Sequence, residues 1–162
     1  MGKYTEYEGK PDATGMRLAI VAGRFNDDIT KLLLDGAQHE LADHGIAPDS
    51  VPVVWVPGAF EIPLVAKQLV ESGELDGVIC VGAVIRGDTP HFDFVAGECA
   101  SGISRVALDT GVPIAFGVLT TNTAEQAEAR LEKGAEAVRT ALEMADLFSQ
   151  LRASGAAAVA GR

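Results

Sequence analysis

The sequence predicts a three-layer α/β fold in which a four-stranded parallel sheet is covered by helices on both faces. Three observations predict it. Short apolar runs bounded by Gly or Pro alternate with longer stretches in which apolar residues recur at i, i+3 and i+4. The short runs are apolar at almost every position, as strands covered on both faces require. The chain has 162 residues, 48% of them apolar and 22% charged, enough for one core, and no repeat or linker divides it.

The first strand is expected over residues 17–22 (Arg-Leu-Ala-Ile-Val-Ala), ending at Gly23-Arg24-Phe25-Asn26. Asn26, with Asp27 and Asp28 behind it, is a helix start with acidic residues in the first turn. Ile29, Leu33, Ala37 and Leu41 then share one helical face, and Gly45 closes the helix. Residues 51–56 form the second strand and run into Pro57-Gly58. The helix after it buries Ile62, Val65, Ala66, Leu69 and Val70 and stops at Gly73.

The third strand spans residues 77–84. Thr89 is placed to cap the next helix, with Pro90 in its first position. That helix buries Phe92, Val95, Ala96, Cys99, Ile103, Val106 and Ala107 and ends near Gly111. Residues 113–119 are the fourth strand. Thr123-Ala124-Glu125-Gln126 is a capping box opening a final Ala-rich helical region, which Gly134 is expected to break or bend. Residues 1–15 are expected to be an N-terminal arm, residues 16–151 the α/β domain and residues 152–162 a fraying tail.

Charge narrows the function. Thirteen Lys and Arg against 23 Asp and Glu give 13 − 23 = −10, which argues against nucleic acid or an anionic membrane as partner. No apolar run approaches the roughly 20 residues of a membrane span. The polar N-terminus lacks the pattern of a secretory signal, so a cytoplasmic location is expected. Cys80 and Cys99 fall on apolar faces and are expected as buried thiols. No metal-ligand cluster, dinucleotide fingerprint or Walker loop is present, and neither a metal nor an organic cofactor is called for.

In an open α/β sheet, ligands bind beyond the carboxyl ends of the strands. Those ends carry Phe25, then Gly58-Ala59-Phe60-Glu61, then residues 82–89, then Thr120-Thr121-Asn122. In Gly87-Asp88-Thr89-Pro90-His91 the free amides at a helix start form an anion site, with the Thr89 hydroxyl beside them. Asp88 would bind through its amide, its side chain turned to solvent. His91 is either a proton-transfer group or a surface histidine. Phe25 either stacks on a flat heterocycle or fills its own loop. Glu61 either accepts hydrogen bonds from a polyol or caps its helix. Arg130 alone reads as a solvated helix residue, as do His39 and His44.

At these loops the chain resembles the lumazine synthase family, from about Arg17 to Phe148. The likeness rests on Val-Ala-Gly-Arg-Phe-Asn (21–26), Val-Pro-Gly-Ala-Phe-Glu-Ile-Pro (56–63), Gly-Ala-Val-Ile-Arg-Gly-Asp-Thr-Pro-His-Phe-Asp (82–93), Phe-Gly-Val-Leu-Thr-Thr-Asn-Thr (116–123) and Glu-Gln-Ala (125–127). The resemblance implies a flavodoxin-like sheet and a transferase of riboflavin biosynthesis. Its reaction condenses 5-amino-6-(D-ribitylamino)uracil with 3,4-dihydroxy-2-butanone 4-phosphate, releasing phosphate and water without a cofactor. It implies that Phe25 stacks on the pyrimidine, that Ala59, Phe60 and Glu61 line the ribityl and ring contacts, and that Ala83, Val84 and Ile85 supply backbone hydrogen bonds. Asp88 and Thr89 would hold the phosphate and His91 transfer protons. Phe116 and Arg130 would come from the adjacent subunit, Arg130 reaching the phosphate.

The resemblance further implies a homo-oligomer, a pentamer or a pentamer-based icosahedral shell, with shared sites. Its N-terminal strand, here Tyr4-Thr5-Glu6-Tyr7-Glu8, would add to a neighbour's sheet, and riboflavin synthase is an implied partner. One departure stands out. Where the family has a longer stretch with Gly and Lys after the arginine, Leu131-Glu132-Lys133-Gly134 follows Arg130 directly. The competing expectations are a shell-forming or flavin-binding relative without turnover and a riboflavin-synthase-like enzyme.

Overall fold

A computed structural model of the chain describes residues 2 and 4–155. The elements are β1 (Leu18–Gly23), α1 (Asp27–Asp43), β2 (Val53–Val56), α2 (Ile62–Glu71), β3 (Gly77–Ile85), α3 (His91–Thr110), β4 (Ile114–Thr121), α4 (Ala124–Glu128) and α5 (Lys133–Ser154). Short 3-10 turns at Pro48–Ser50 and Ala59–Glu61 precede β2 and α2. The four strands pair in parallel in the order β2-β1-β3-β4. The predicted three-layer architecture is therefore the observed one.

Its handedness follows from the strand order. The step from β1 to β2 runs one way along the sheet, and the steps from β2 to β3 and β3 to β4 run the other way. Right-handed crossovers then put α1 on one face and α2 and α3 on the opposite face. The two buried clusters agree. Leu18, Ile20, Ala22, Ile79, Val81 and Ala115 pack with Leu33, Ala37 and Leu41 of α1 and with Val138, Ala141 and Leu142 of α5. Val21, Val56, Val78, Cys80 and Val118 pack with Ile62 and Ala66 of α2 and with Cys99, Ile103 and Val106 of α3. Alternate residues of each strand thus feed alternate cores, which is why the runs are apolar throughout.

Several local expectations are corrected. Asn26 holds the residue before α1, but its side chain makes no cap bond there. Its backbone is left-handed, with φ 62 and ψ 45, and its Nδ2 donates to the Ala83 carbonyl oxygen at 2.9 Å. That conformation turns the amide away from the helix and across to β3. The helical part of α3 starts at His91, one residue after Pro90, yet the Thr89 hydroxyl still accepts the His91 amide at 3.4 Å.

The last helical region breaks at residues 129–132, before Gly134. Gly134 sits buried in the first turn of α5, where a Cβ would collide with the Leu33 carbonyl of α1. Its missing side chain is a packing requirement between two helices. The capping box forms in altered shape. Thr123 Oγ1 accepts the Gln126 amide at 3.1 Å, while Gln126 Oε1 accepts from Asn122 N at 2.8 Å, one residue further back than the reciprocal bond requires. His44, expected in solvent, is half-buried, its Nδ1 2.8 Å from the Glu40 carbonyl oxygen.

α5 continues through Ser154, past the expected start of the tail, and residues 156–162 lie outside the described part of the chain. Residues 4–13 carry no strand in the single subunit. Instead Lys10 N donates to Asp146 Oδ2 at 2.9 Å and Gln150 Nε2 to the Glu8 carbonyl at 2.8 Å, so the base of the arm lies along α5. No helix of the described residues is long and apolar enough to cross a membrane.

Candidate active site

Strand order locates the site. Leaving β1, the chain turns toward β2; leaving β3, it turns toward β4. The helices that follow these two adjacent strands therefore diverge, and a crevice opens between their carboxyl ends. A cavity of about 660 Å³ lies there. Its volume suits a small organic ligand.

The walls come from three strand ends and one helix start. Phe25 and Asn26 follow β1, and residues 57–61 follow β2. Ala83, Val84 and Ile85 end β3, then Gly87, Thr89, His91, Phe92, Phe94 and Val95 close the far side. The Asn26–Ala83 bond ties the two strand ends together at the base of the crevice. Nine of the twelve expected site residues therefore line one cavity: Phe25, Ala59, Phe60, Glu61, Ala83, Val84, Ile85, Thr89 and His91.

Two side chains with alternative expected roles are free of internal partners. Phe25 is 73% exposed, so its ring does not fill its own loop. Glu61 stands at the position before α2 without making a side-chain cap bond, and Oε2 lies beside Gly58. Its carboxylate remains available to hydroxyl donors.

The anion loop has a distinct electrostatic character. At its start Arg86 N donates to the Thr121 carbonyl at 2.9 Å, prolonging the β3–β4 ladder by one rung. Among the described residues nothing accepts from the amides of Gly87, Asp88 and Thr89. Three unengaged donors beside the positive end of α3 can hold the oxygens of a phosphate. His91 is the first residue of that helix and its exposed side chain faces the cavity.

Three expected residues lie elsewhere. Asp88 does not line the cavity, in keeping with a contribution through its amide. Phe116 sits on the edge strand β4 and is 37% exposed. Arg130 lies in the turn between α4 and α5, Nη1 donating to the Gln126 carbonyl at 2.8 Å. Neither Phe116 nor Arg130 reaches the cavity of its own subunit. Lys133 is also engaged elsewhere, with Nζ 3.5 Å from Glu136 Oε2.

Sequence reasoning missed Phe94 and Arg86. Phe94 lies one turn beyond His91 on α3, so helical spacing alone could have placed it on the rim. Arg86 has partners at the start of α3 and gains Asn122 only when β3 and β4 are side by side. Its Nε donates to Asn122 Oδ1 at 3.0 Å, Nη1 lies 3.3 Å from Asp93 Oδ1, and the guanidinium sits 4.3 Å from the Phe92 ring centre.

Cys80 of β3 and Cys99 of α3 are buried free thiols in the core beneath the site. Burial pushes the Cys80 thiol far up, with a further push from Cys99, and holds Cys99 at about 12. Neither supplies a thiolate nucleophile near neutral pH. Among the described residues no three His, Cys, Asp or Glu side chains gather as a metal site.

The sequence pattern of the 6,7-dimethyl-8-ribityllumazine synthase family matches residues 15–149. A 6,7-dimethyl-8-ribityllumazine synthase of Protochlamydia amoebophila (strain UWE25) is 54% identical over 151 residues, an alignment covering 90% of this chain and 88% of that protein.

Proposed function

The chain belongs to the 6,7-dimethyl-8-ribityllumazine synthase family, and we propose that it is a transferase of riboflavin biosynthesis working at the β1–β3 crevice. It condenses 5-amino-6-(D-ribitylamino)uracil with 3,4-dihydroxy-2-butanone 4-phosphate to 6,7-dimethyl-8-ribityllumazine. The observation that carries the site assignment is the meeting of an exposed aromatic ring, a free carboxylate and an unengaged amide cradle around one cavity.

On this reading Phe25 stacks on the pyrimidine and Glu61 accepts from the ribityl hydroxyls, with Ala59 and Phe60 completing that wall. Backbone groups of Ala83, Val84 and Ile85 align the ring. The amides of Asp88 and Thr89 and the Thr89 hydroxyl hold the phosphate. The substrate amine is itself the nucleophile, so no activated side chain is needed. Imine formation releases one water, elimination releases phosphate, and attack of the ribitylamino nitrogen on the remaining carbonyl closes the ring with loss of a second water. The protein holds two reactants together, and His91 moves protons between these steps.

The same reading makes the protein a cytoplasmic homo-oligomer, pentameric or built of pentamers into a shell, in which Phe116 and Arg130 complete a neighbour's site. Three observations support the shared site. Both residues lie outside their own cavity, both are at least partly exposed, and Leu64, Phe94 and Leu108 leave large apolar surface uncovered on a single subunit. Residues 1–15 would serve as an intersubunit arm and residues 16–151 as the catalytic unit. Riboflavin synthase, which consumes the product, is the partner enzyme implied.

The test mixes purified protein with both substrates and follows lumazine by absorbance, with His91→Ala alongside. Rapid formation that falls about 100-fold or more in the variant is the expected result. An unaffected His91→Ala enzyme removes the proton-transfer role. An assembled wild type without turnover favours a flavin-binding or shell-forming relative.

A further inference from the structure

We infer that Arg86 is a positioning residue, locking the anion loop of its own cavity and, through Asn122 and Gln126, orienting the arginine presented to the next subunit. The inference rests on the site proposed above and adds to it a residue outside the lining of that cavity.

The loop it controls has little to hold it. Gly87 has open space around it, and the amides of residues 87–89 bond to nothing among the described residues. A loop whose donors must stay free for a ligand has to be fixed from outside. Arg86 does this from four directions. Its amide extends the β3–β4 ladder to Thr121, Nε engages Asn122, Nη1 engages Asp93 in the first turn of α3, and the guanidinium plane covers Phe92. The side chain is partly exposed, so the ion pair with Asp93 alone contributes little. A planar fork held by two polar partners and an aromatic ring is different, because each contact restricts the same few torsions.

The chain of bonds continues past the loop. The Asn122 backbone N–H donates to Gln126 Oε1 at 2.8 Å, and the Gln126 backbone carbonyl accepts from Arg130 Nη1 at 2.8 Å. Asp93, Arg86, Asn122, Gln126 and Arg130 are thus linked in series, the links passing through the Asn122 and Gln126 residues from side chain to backbone. One end lies two residues from His91, and the other is the guanidinium proposed to meet the neighbour's phosphate. Both ends serve the phosphate side of the reaction, and neither touches the wall formed by Phe25 and Glu61.

Steady-state kinetics of Arg86→Ala, Arg86→Lys, Asn122→Ala and the Arg86→Ala/Asn122→Ala pair test this, on samples whose assembly matches wild type. Arg86→Ala should raise KM for the butanone phosphate about tenfold while KM for the ribitylamino-uracil changes less than about twofold. Arg86→Lys should remain as impaired as Arg86→Ala, because a lysine keeps the charge and loses the fork. The double variant should be no worse than the poorer single variant.

Recovery by lysine would overturn the inference by making Arg86 a simple charge, and so would additive losses or equal effects on both substrates. If the Arg86 variants fail to assemble, Asn122→Ala decides alone, since it alters an exposed side chain; an unchanged KM for the butanone phosphate would refute the path. Inorganic phosphate binding, titrated in the same proteins, should weaken in parallel. That titration separates the two ideas. A wild type that binds phosphate but forms no lumazine defeats the proposed function, whereas an active wild type with indifferent Arg86 variants defeats only this inference.

Discussion

Replacing Phe25 by alanine isolates the stacking contribution, because the structure predicts a large effect on binding and almost none on folding. The ring is 73% exposed, so truncation removes little buried area and leaves no internal void. Stability should change by less than about 0.5 kcal/mol. Binding should respond strongly. An aromatic side chain offers roughly 200 Å² of surface. With 73% of it open, about 150 Å² is available to a ligand, and a stacked ring covers roughly half of that. At about 25 cal/mol per Å², the covered area is worth about 2 kcal/mol, roughly a 30-fold loss of affinity. Fluorescence titration with the lumazine product measures the affinity, and denaturant unfolding of the same sample measures stability. The reasoning fails if affinity drops less than about threefold, or if affinity and stability fall together, which would make Phe25 a structural group after all.

Other perturbations probe the frame around the site. Asn26→Ala loses both the left-handed preference and the bond to Ala83, about 2 kcal/mol together, whereas Asn26→Gly restores the backbone and should cost about half as much; comparing their urea midpoints checks the ordering. Gly134→Val drives a side chain into the Leu33 carbonyl and should cost about 3 kcal/mol or prevent folding, seen as a lowered Tm or as insoluble protein. The buried thiols should resist an aromatic disulfide reagent in the native state and react once unfolded. Their folded pKa values are raised, so the unfolded chain loses its thiol protons first, from about 9.0 upward, and the native state loses stability progressively as pH rises toward 12. Replacing both by alanine should flatten that alkaline decline in thermal melts, and an unchanged slope would assign it to other groups.

Much of this protein was legible from one-dimensional pattern. Strand and helix alternation is written in local periodicity, because a strand covered on both faces must be apolar throughout and a surface helix on one stripe only. Ile29, Leu33, Ala37 and Leu41 are buried as their spacing requires. Loop residues at strand ends were legible too, since the parallel sheet gathers all four carboxyl ends on one side. Nine of the twelve expected site residues meet there for that reason alone.

What local pattern could not decide were contacts between segments distant in sequence. Asn26 has the chemistry of a helix cap, and only the adjacent β3 carbonyl turns it into a brace across the crevice. Gly134 has the character of a helix breaker, and only the approach of α1 makes it a packing residue. Arg86 has Asp93 and Phe92 close by in the chain, but its guanidinium is held from a further side only when β4 brings Asn122 beside it, 36 positions away. Sequence by itself determined which stretches would be strands and helices, and which loops would face a ligand, because those follow from periodicity and connection handedness. Tertiary structure alone decided which polar atoms stay free for a ligand and which are spent on the frame, because a hydrogen bond is made only where partners meet within about 3 Å.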